Sequence, residues 1–281
     1  MTARPFIQRA AGAPVSGPSR FDSAAANPPD RKPALRVLGL CIGVILLAGF
    51  TEPPPPPRPF DPAGAAKQGR ELVAEILSQR PAQSFTNAGV LKTRDAKNRR
   101  SETPVKFEAI VPETNSPSWS GTYETIGTSS PARLTVFHSD KHPGVYSLAA
   151  DGASQSLTNN QSMIPFAGSD FWLADLGLEF FHWPEQKVLR SELRKTRLCR
   201  VLESVNPQPA TNAYSRVVSW IDDESRGILH AEAYDSQDRR LKEFDTKKFK
   251  KVNGAWRLEQ MEIYNVQTRS RTQIEFEFDS K

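Results

Sequence analysis

Along most of the chain, apolar and polar residues alternate with a period of two. In Val105-Lys106-Phe107-Glu108-Ala109-Ile110-Val111 the odd positions are apolar; in Ile274-Glu275-Phe276-Glu277-Phe278 the even ones are, and acids occupy the rest. Successive side chains of a strand point to opposite faces, so both runs predict half-buried β-strands. Turn residues separate further strand candidates at 120–127, 132–139, 144–150, 187–195, 197–205, 214–222, 228–235, 240–251 and 256–266. Asp151-Gly152 and Asn253-Gly254 are hairpin-turn dipeptides. With no helical pattern between the strands, this spacing predicts an antiparallel meander rather than a parallel sheet.

Two segments break the alternation. Asp61-Pro62 opens a helix in which Leu72, Val73, Ile76 and Leu77 form one apolar stripe, ending before Pro81. Gly168 to Pro184 is the most apolar part of the body. There Ser169 or Asp170 is placed to cap a helix, Phe171, Leu173, Leu176, Phe180 and Phe181 share one broad face, and Pro184 ends it. Such a helix, inserted midway through a meander, either lies across the sheet as a lid or plugs an ordinary core. Some strands carry large apolar residues on both parities, as at Val217, Val218, Trp220 and Ile221, or Met261, Ile263, Tyr264 and Val266. These are covered on both faces, or line a cavity with one of them.

Composition divides the 281 residues into parts. Residues 1–66 hold 13 of the 23 prolines and seven Lys/Arg against four Asp/Glu, which leaves 30 against 28 for residues 67–281. A nearly balanced body lacks the basic stripe that nucleic acid requires, and its recurring aromatic and β-branched residues exclude disorder. Residues 1–36 form a long basic n-region. Val37 to Phe50 is an uncharged apolar run behind Arg31, Lys32 and Arg36, with the length of a signal-peptide h-region and short of a comfortable membrane span. It predicts export to the periplasm, or tethering to the inner membrane if it is not cleaved. Leu46-Leu47-Ala48-Gly49 resembles the start of a lipoprotein box, but Phe50 stands where lipidation needs cysteine. Residues 51–66 are a Pro-rich linker, Pro53 to Pro57 forming a polyproline II spacer. Residues 67–281 are the folded domain, expected to be monomeric.

The chemistry-bearing residues point away from catalysis. Cys41 lies in the leader and Cys199 is alone in the body, where Leu198-Cys199-Arg200-Val201-Leu202 reads as a strand with a small buried hydrophobe. His138 and His142 bracket Ser139-Asp140-Lys141, a spacing that suits a metal only on a helix. His182 lies in the aromatic segment and His230 on a strand. There is no nucleophile elbow, phosphate-cradling loop or zinc-protease helix. Asp222-Asp223 and Asp235/Asp238 fall at turns, where solvation is the ordinary explanation. Lys242, Lys247, Lys248, Lys250 and Lys251 read as a solvated strand face, with contact to anionic lipid head groups as the other use. Hydrolysis of a lipid ester would have to draw on Ser169, His182 and Asp175. No cofactor or metal is expected, and the protein is expected not to be an enzyme.

The order of these features resembles the outer-membrane lipoprotein-sorting (LolA-like) carriers. The likeness covers roughly residues 67–281. Its stretches are Phe166-Ala167-Gly168-Ser169-Asp170-Phe171 with Asp175-Leu176, then Cys199 to Glu203, Tyr214 to Asp222, Ala231 to Asp235, Lys250 to Trp256 and Met261 to Asn265. The resemblance implies a mainly β, α+β fold: a curved antiparallel sheet forming an incomplete β-barrel with covering helices. It also implies a concave apolar surface that shelters the acyl chains of a lipoprotein or another amphiphile, between an inner-membrane transporter and an outer-membrane acceptor. Mapped onto this chain, the lids are the helix from Leu72 to Leu77 and the segment Phe171 to Trp183. Phe107, Tyr123, Phe137, Phe171, Trp172, Leu176, Phe180, Trp220 and Met261 are the candidate lining and lid residues. A sensor or interaction module on the same half-barrel, binding a protein partner or a lipid signal, is the alternative.

Overall fold

The computed structural model describes residues 61–113, 117–139, 142–252 and 255–278; the leader with Cys41 and the Ala48-Gly49-Phe50 site, the polyproline run and the Asn253-Gly254 turn lie outside them. The described residues form one compact unit. A helix, α1 (Pro62–Leu77), comes first. Six strands follow: β1 (Phe85–Arg94), β2 (Arg100–Ile110), β3 (Trp119–Thr125), β4 (Ala132–His138), β5 (Val145–Ala150) and β6 (Ala153–Thr158). After a helical segment with α2 (Leu173–Leu176) come β7 (Glu185–Arg194), β8 (Arg197–Val205), β9 (Arg216–Asp222), β10 (Ile228–Tyr234), β11 (Arg240–Val252), β12 (Ala255–Asn265) and β13 (Ser270–Phe276).

All thirteen strands join one curved, open antiparallel sheet in the order β6-β5-β4-β3-β2-β1-β13-β12-β11-β10-β9-β8-β7. The chain meanders from the middle to one edge, re-enters at the opposite edge and meanders back, so that β13 pairs with β1. The meander expected from the alternation is therefore present, as an incomplete barrel covered by helices. At the β5–β6 hairpin Asp151 (φ 49°) and Gly152 (φ 79°) are both left-handed, as a tight two-residue hairpin turn requires.

β1 and β6 carry no alternation that would betray them. β6 is Ala-Ser-Gln-Ser-Leu-Thr, an edge strand with only Leu157 buried. In β1 only Leu91 is buried, and Gly89 is pressed against the β13 backbone. Their strand state comes from pairing with neighbours, which side-chain periodicity does not record.

The segment from 159 to 184 joins the two edges and lies against one face of the sheet. Phe166, Phe171, Leu173, Ala174 and Phe181 are each 1% exposed or less. Its first part packs with Leu134, Val136, Tyr146 and Leu148 on one side and Met261, Ile263 and Ile274 on the other. Its second part, Phe180, Phe181 and Trp183, packs with Leu72 and Val73 of α1 and with Val188, Leu202, Val217 and Ile221. Of the two expected roles, this is a plug. It is not the single helix expected from its apolar face: α2 is four residues long, a 3₁₀ turn covers Glu179–His182, and Leu178 between them is left-handed at φ 53°. One straight helix cannot deliver its side chains to two clusters on a curved sheet, so the chain breaks at Gly177. A Cβ there would stand 2.5 Å from the Tyr146 ring. Ser169 caps no helix; its hydroxyl is engaged with the Phe171 backbone.

α1 starts at Pro62, so residues 62–66, given to the linker by composition, are its first turn. It packs on β7, where Gly69 meets the Gln186–Lys187 peptide. A third cluster, Cys199, Val201, Val218, Trp220 and Leu229, packs apart from the plug's two. Trp220 and Val218 alternate in β9 with Val217 and Ile221 of the plug side, so β9 is covered on both faces, and Cys199 is a buried hydrophobe as expected.

A Cβ at Gly69 would lie 2.5 Å from backbone atoms of Gln186 and Lys187. Gly69→Ala is therefore expected to lower stability by about 1–3 kcal/mol, despite the gain of about 1 kcal/mol in helix propensity. Urea denaturation measures it; an unchanged or higher midpoint would mean that α1 is not seated on β7.

Candidate functional site

The plug is held by a set of buried polar contacts, each placed by strand parity or by α2. Lys242 shares the inward parity of β11 with Phe244 and Thr246. Its ammonium donates to the Asp170 carbonyl (2.7 Å) and to Asp175 Oδ2 (3.2 Å), and stands 3.7 Å from the centre of the Trp172 ring. Tyr214 donates its hydroxyl to Asp175 (3.0 Å) and stacks on Trp172 at 4.5 Å. The Trp172 amide donates to the same carboxylate (2.8 Å), starting α2. Asp170 is bound to β13 through the Ser270 and Thr272 hydroxyls, at 2.5 and 2.8 Å. Farther along the plug, the Tyr146 hydroxyl donates to Glu179 at 2.7 Å.

Burial governs the electrostatics of this cluster. It pulls Lys242 down to about 8, with Asp175 opposing the shift. It holds Tyr214 well above the ordinary phenol, aided by the Asp175 charge. Glu179, 2% exposed, is pushed above the usual carboxylate value by the same desolvation.

Beside this cluster is an apolar cleft between plug and sheet. Leu178 and Phe180 form one wall; Val217, Ala231, Ala233, Phe244 and Ile263 form the other, and Asp175, Tyr214 and Lys242 make its polar end. The enclosed free space is about 30 Å³, room for a water molecule and not for an acyl chain. The small Ala231 and Ala233 are what leave the gap, since neighbouring wall positions carry full-sized side chains.

The expected lining residues are divided by the structure. Phe171, Leu176 and Met261 are buried in the first cluster, with Phe107 and Tyr123 packed against it. Phe180 lines the cleft, and Trp172 is the aromatic platform under Lys242. Two assignments go to the other face. Phe137 alternates with the buried Leu134 and Val136 and is 49% exposed, and Trp220 sits in the third cluster with its indole N–H donated to Glu192. Parity within a short run identifies two faces without saying which is concave. Lys242, Tyr214, Asp170, Tyr146 and Glu179 were not anticipated as site residues. The readable signal was Lys242 at the parity of Phe244, a cation aimed at the apolar side.

Other expectations change as well. Lys242 is 2% exposed, so the lysine cluster is not one solvated face. Asp222 is 1% exposed and held by a two-pronged Arg197 contact at 2.8 and 2.7 Å, which keeps its carboxyl down near 2 against the opposing burial. Asp235 is likewise buried, bound by Arg239. Ser169, Asp175 and His182 form no relay: Ser169 serves the Phe171 backbone, Asp175 serves Tyr214 and Lys242, and His182 lies near His138. His138 stacks on Trp119 at 4.0 Å, and burial takes it down to about 4. Among the described residues no group of three or more His, Cys, Asp or Glu converges to hold a metal.

Solved structures share this architecture. A DUF1329 family protein from Desulfovibrio piger superposes with a TM-score of 0.64 at 17% identity, covering 78% of this chain and 92% of its own. A putative outer membrane lipoprotein-sorting protein domain from Vibrio parahaemolyticus gives 0.63 at 19%, covering 76% and 92%. A LolA superfamily protein from Nitrosomonas europaea gives 0.52 at 15%, with the same coverage. At these identities the likeness is one of fold. One family profile, described as "Uncharacterized protein", matches residues 150–279, less than half of the chain. No curated protein matches the chain by sequence.

Removing one partner of a buried ion pair strands the other, at a cost of about 3–5 kcal/mol, whereas replacing both with apolar groups is often neutral. Lys242→Met is thus expected to destabilise strongly, and Asp175→Leu to cost less in that background than alone, its remaining cost being the Tyr214 hydroxyl and Trp172 amide left without their acceptor. A double-mutant cycle by denaturation reads the coupling, and additive effects would contradict the latch. Glu179 titrates above its unfolded value, so its stability contribution is complete below about pH 4.5 and is lost as pH rises through the folded value. Glu179→Gln should therefore raise the melting temperature at pH 8 and not at pH 4; an equal effect at both pH values would contradict the assignment.

Proposed function

We propose that the protein is a periplasmic carrier that shelters acyl chains, of a lipoprotein or another amphiphile, between plug and sheet. The observation that carries this reading is the apolar cleft beneath a plug that is latched at a few polar points. The neighbouring side chains on the sheet wall are apolar, so withdrawing the plug would open a continuous apolar surface. The hydrophobic run at Val37–Phe50 supports export, and the shared fold supports a binding rather than a structural role.

The energetics are consistent with exchange of plug for ligand. Each sheltered methylene contributes about 0.8 kcal/mol, so a chain of roughly fourteen carbons gives on the order of 11 kcal/mol. That exceeds the few kcal/mol expected for a polar latch, but the plug's own buried apolar side chains, at about 1.5–3 kcal/mol each, are together worth as much as the chain, so a ligand takes the plug's place only where those side chains stay covered against it. Binding of this kind involves no covalent step. An inner-membrane donor and an outer-membrane acceptor would be the partners.

Native mass spectrometry with lipid extraction, on protein exported to the periplasm and purified without harsh detergent, tests this. Stoichiometric acyl-chain species are expected, and Ala231→Leu, which fills the cleft, should reduce them by about tenfold, the effect of losing about 1.4 kcal/mol. A clean ligand-free mass with no uptake of added lipopeptide would refute the carrier and favour a partner-binding module.

A further inference from the structure

Antiparallel order puts the β4–β5, β7–β8, β9–β10 and β11–β12 turns at one end of the sheet. Large apolar side chains stay exposed there. Leu193 and Leu198 stand directly opposite each other beside the β7–β8 turn, 74% and 51% exposed. Trp256, 49% exposed, stands opposite Lys251 beside the β11–β12 turn. Phe137 and Val145 are a further opposed pair beside the β4–β5 turn. Among the described residues, Ile126 alone of the exposed large apolar side chains lies at the other end.

Two of these turns are brought together by a cation. Lys195, in the β7–β8 turn, donates to the Thr246 carbonyl at 2.6 Å, which seats that turn against β11 just before a basic run. From Lys247 to Arg257 the chain holds five Lys or Arg and no Asp or Glu. Lys247 is engaged by Glu262 at 3.1 Å and Asp245 at 3.7 Å. Lys250 donates to the Phe278 carbonyl, Lys251 stands 5.9 Å from the centre of the Trp256 ring and Arg257 lies 4.1 Å from that of Phe85, contacts that leave their charges uncancelled. Lys248 and Lys250 border a basin shared with Glu259, Glu275 and Glu277, and Glu275 is taken by Lys92 at 2.6 Å. Four cations therefore face two acids, and the hairpin keeps a positive excess.

We infer that this end of the sheet docks on the surface of an anionic phospholipid bilayer. Lysines at the β11–β12 tip meet the head groups, Trp256 suits the boundary between head groups and acyl chains, and the leucine pair adds apolar contact beside it. Apolar residues exposed singly are ordinary; opposed pairs at hairpin tips, next to uncancelled cations, are not. The apolar tips and the cations are spread over separate turns, which fits a broad, yielding surface rather than one fixed binding partner. Docking of this kind involves the turns and not the cleft, so it holds whether or not the cleft carries acyl chains.

The test is quenching of tryptophan emission by brominated lipid, on the full chain, with vesicles of phosphatidylcholine alone or mixed with phosphatidylglycerol. The wild type is expected to be quenched on the anionic vesicles and to lose that quenching at high salt, and Trp256→Phe should remove most of it. Attachment through Val37–Phe50 does not mimic this result, because no tryptophan precedes Trp119. Lys248 and Lys251 are exposed, so Lys248→Gln/Lys251→Gln should keep the wild-type melting temperature while the hairpin is held about thirtyfold less tightly, the effect of two charges at such a surface. Leu193→Ser/Leu198→Ser should reduce the quenching as well. No quenching on anionic vesicles, equal quenching on neutral ones, or quenching that survives Trp256→Phe or the lysine variant would overturn the proposal.

Discussion

The structure depends on one topological constraint: β6 and β7 are consecutive strands that lie at opposite edges of a thirteen-stranded sheet. The segment between them must cross the sheet, and an apolar face waits beneath it. Its sequence answers both demands, with aromatic and aliphatic side chains that reach two separate clusters and a break at Gly177-Leu178 that lets them do so. The same crossing removes the need for a closed barrel. Here the connection itself covers the interior, and the two edge strands stay unpaired with each other.

The polar contacts under this segment have a different character from the apolar ones around them. Hydrophobic packing would hold the plug anywhere that buries enough area. The Lys242 ammonium, caught between the Asp170 carbonyl, the Asp175 carboxylate and the Trp172 ring, accepts one position only. A buried ion pair adds little net stability, because desolvation consumes most of the attraction. Its contribution is register: it fixes where α2 begins and which face of the plug looks into the cleft. The depressed titration of Lys242 is the visible sign of that desolvation.

Much of the architecture was legible because strand alternation is a local signal. Eleven of the thirteen strands follow from it, and the two that do not, β1 and β6, are strands by virtue of their neighbours. α1 was legible from Pro62 and its stripe. The aromatic segment was recognisable as an interruption, while its broken form depended on the shape of the sheet beneath it. The site was much less legible. Phe137 and Trp220 show that parity divides a strand into faces without naming the concave one. Lys242, Tyr214 and the pair Asp170 and Asp175 come from three distant parts of the chain, and nothing local marks them as partners.

The pairing of β1 with β13 also orders the assembly of the molecule. Every other neighbouring pair of strands in the sheet is consecutive in sequence, so the two meanders, β1–β6 and β7–β13, are each built from contacts of short sequence separation. Joining them closes a loop of well over a hundred residues, the step with the largest chain-entropy cost. The crossing segment gains its two-sided burial only once both meanders stand side by side. The β1–β13 seam is thus the pairing expected to form last. Until it forms, each half presents a raw central edge of unsatisfied backbone groups, which gives a chain of this topology a reason to be escorted until the seam has closed.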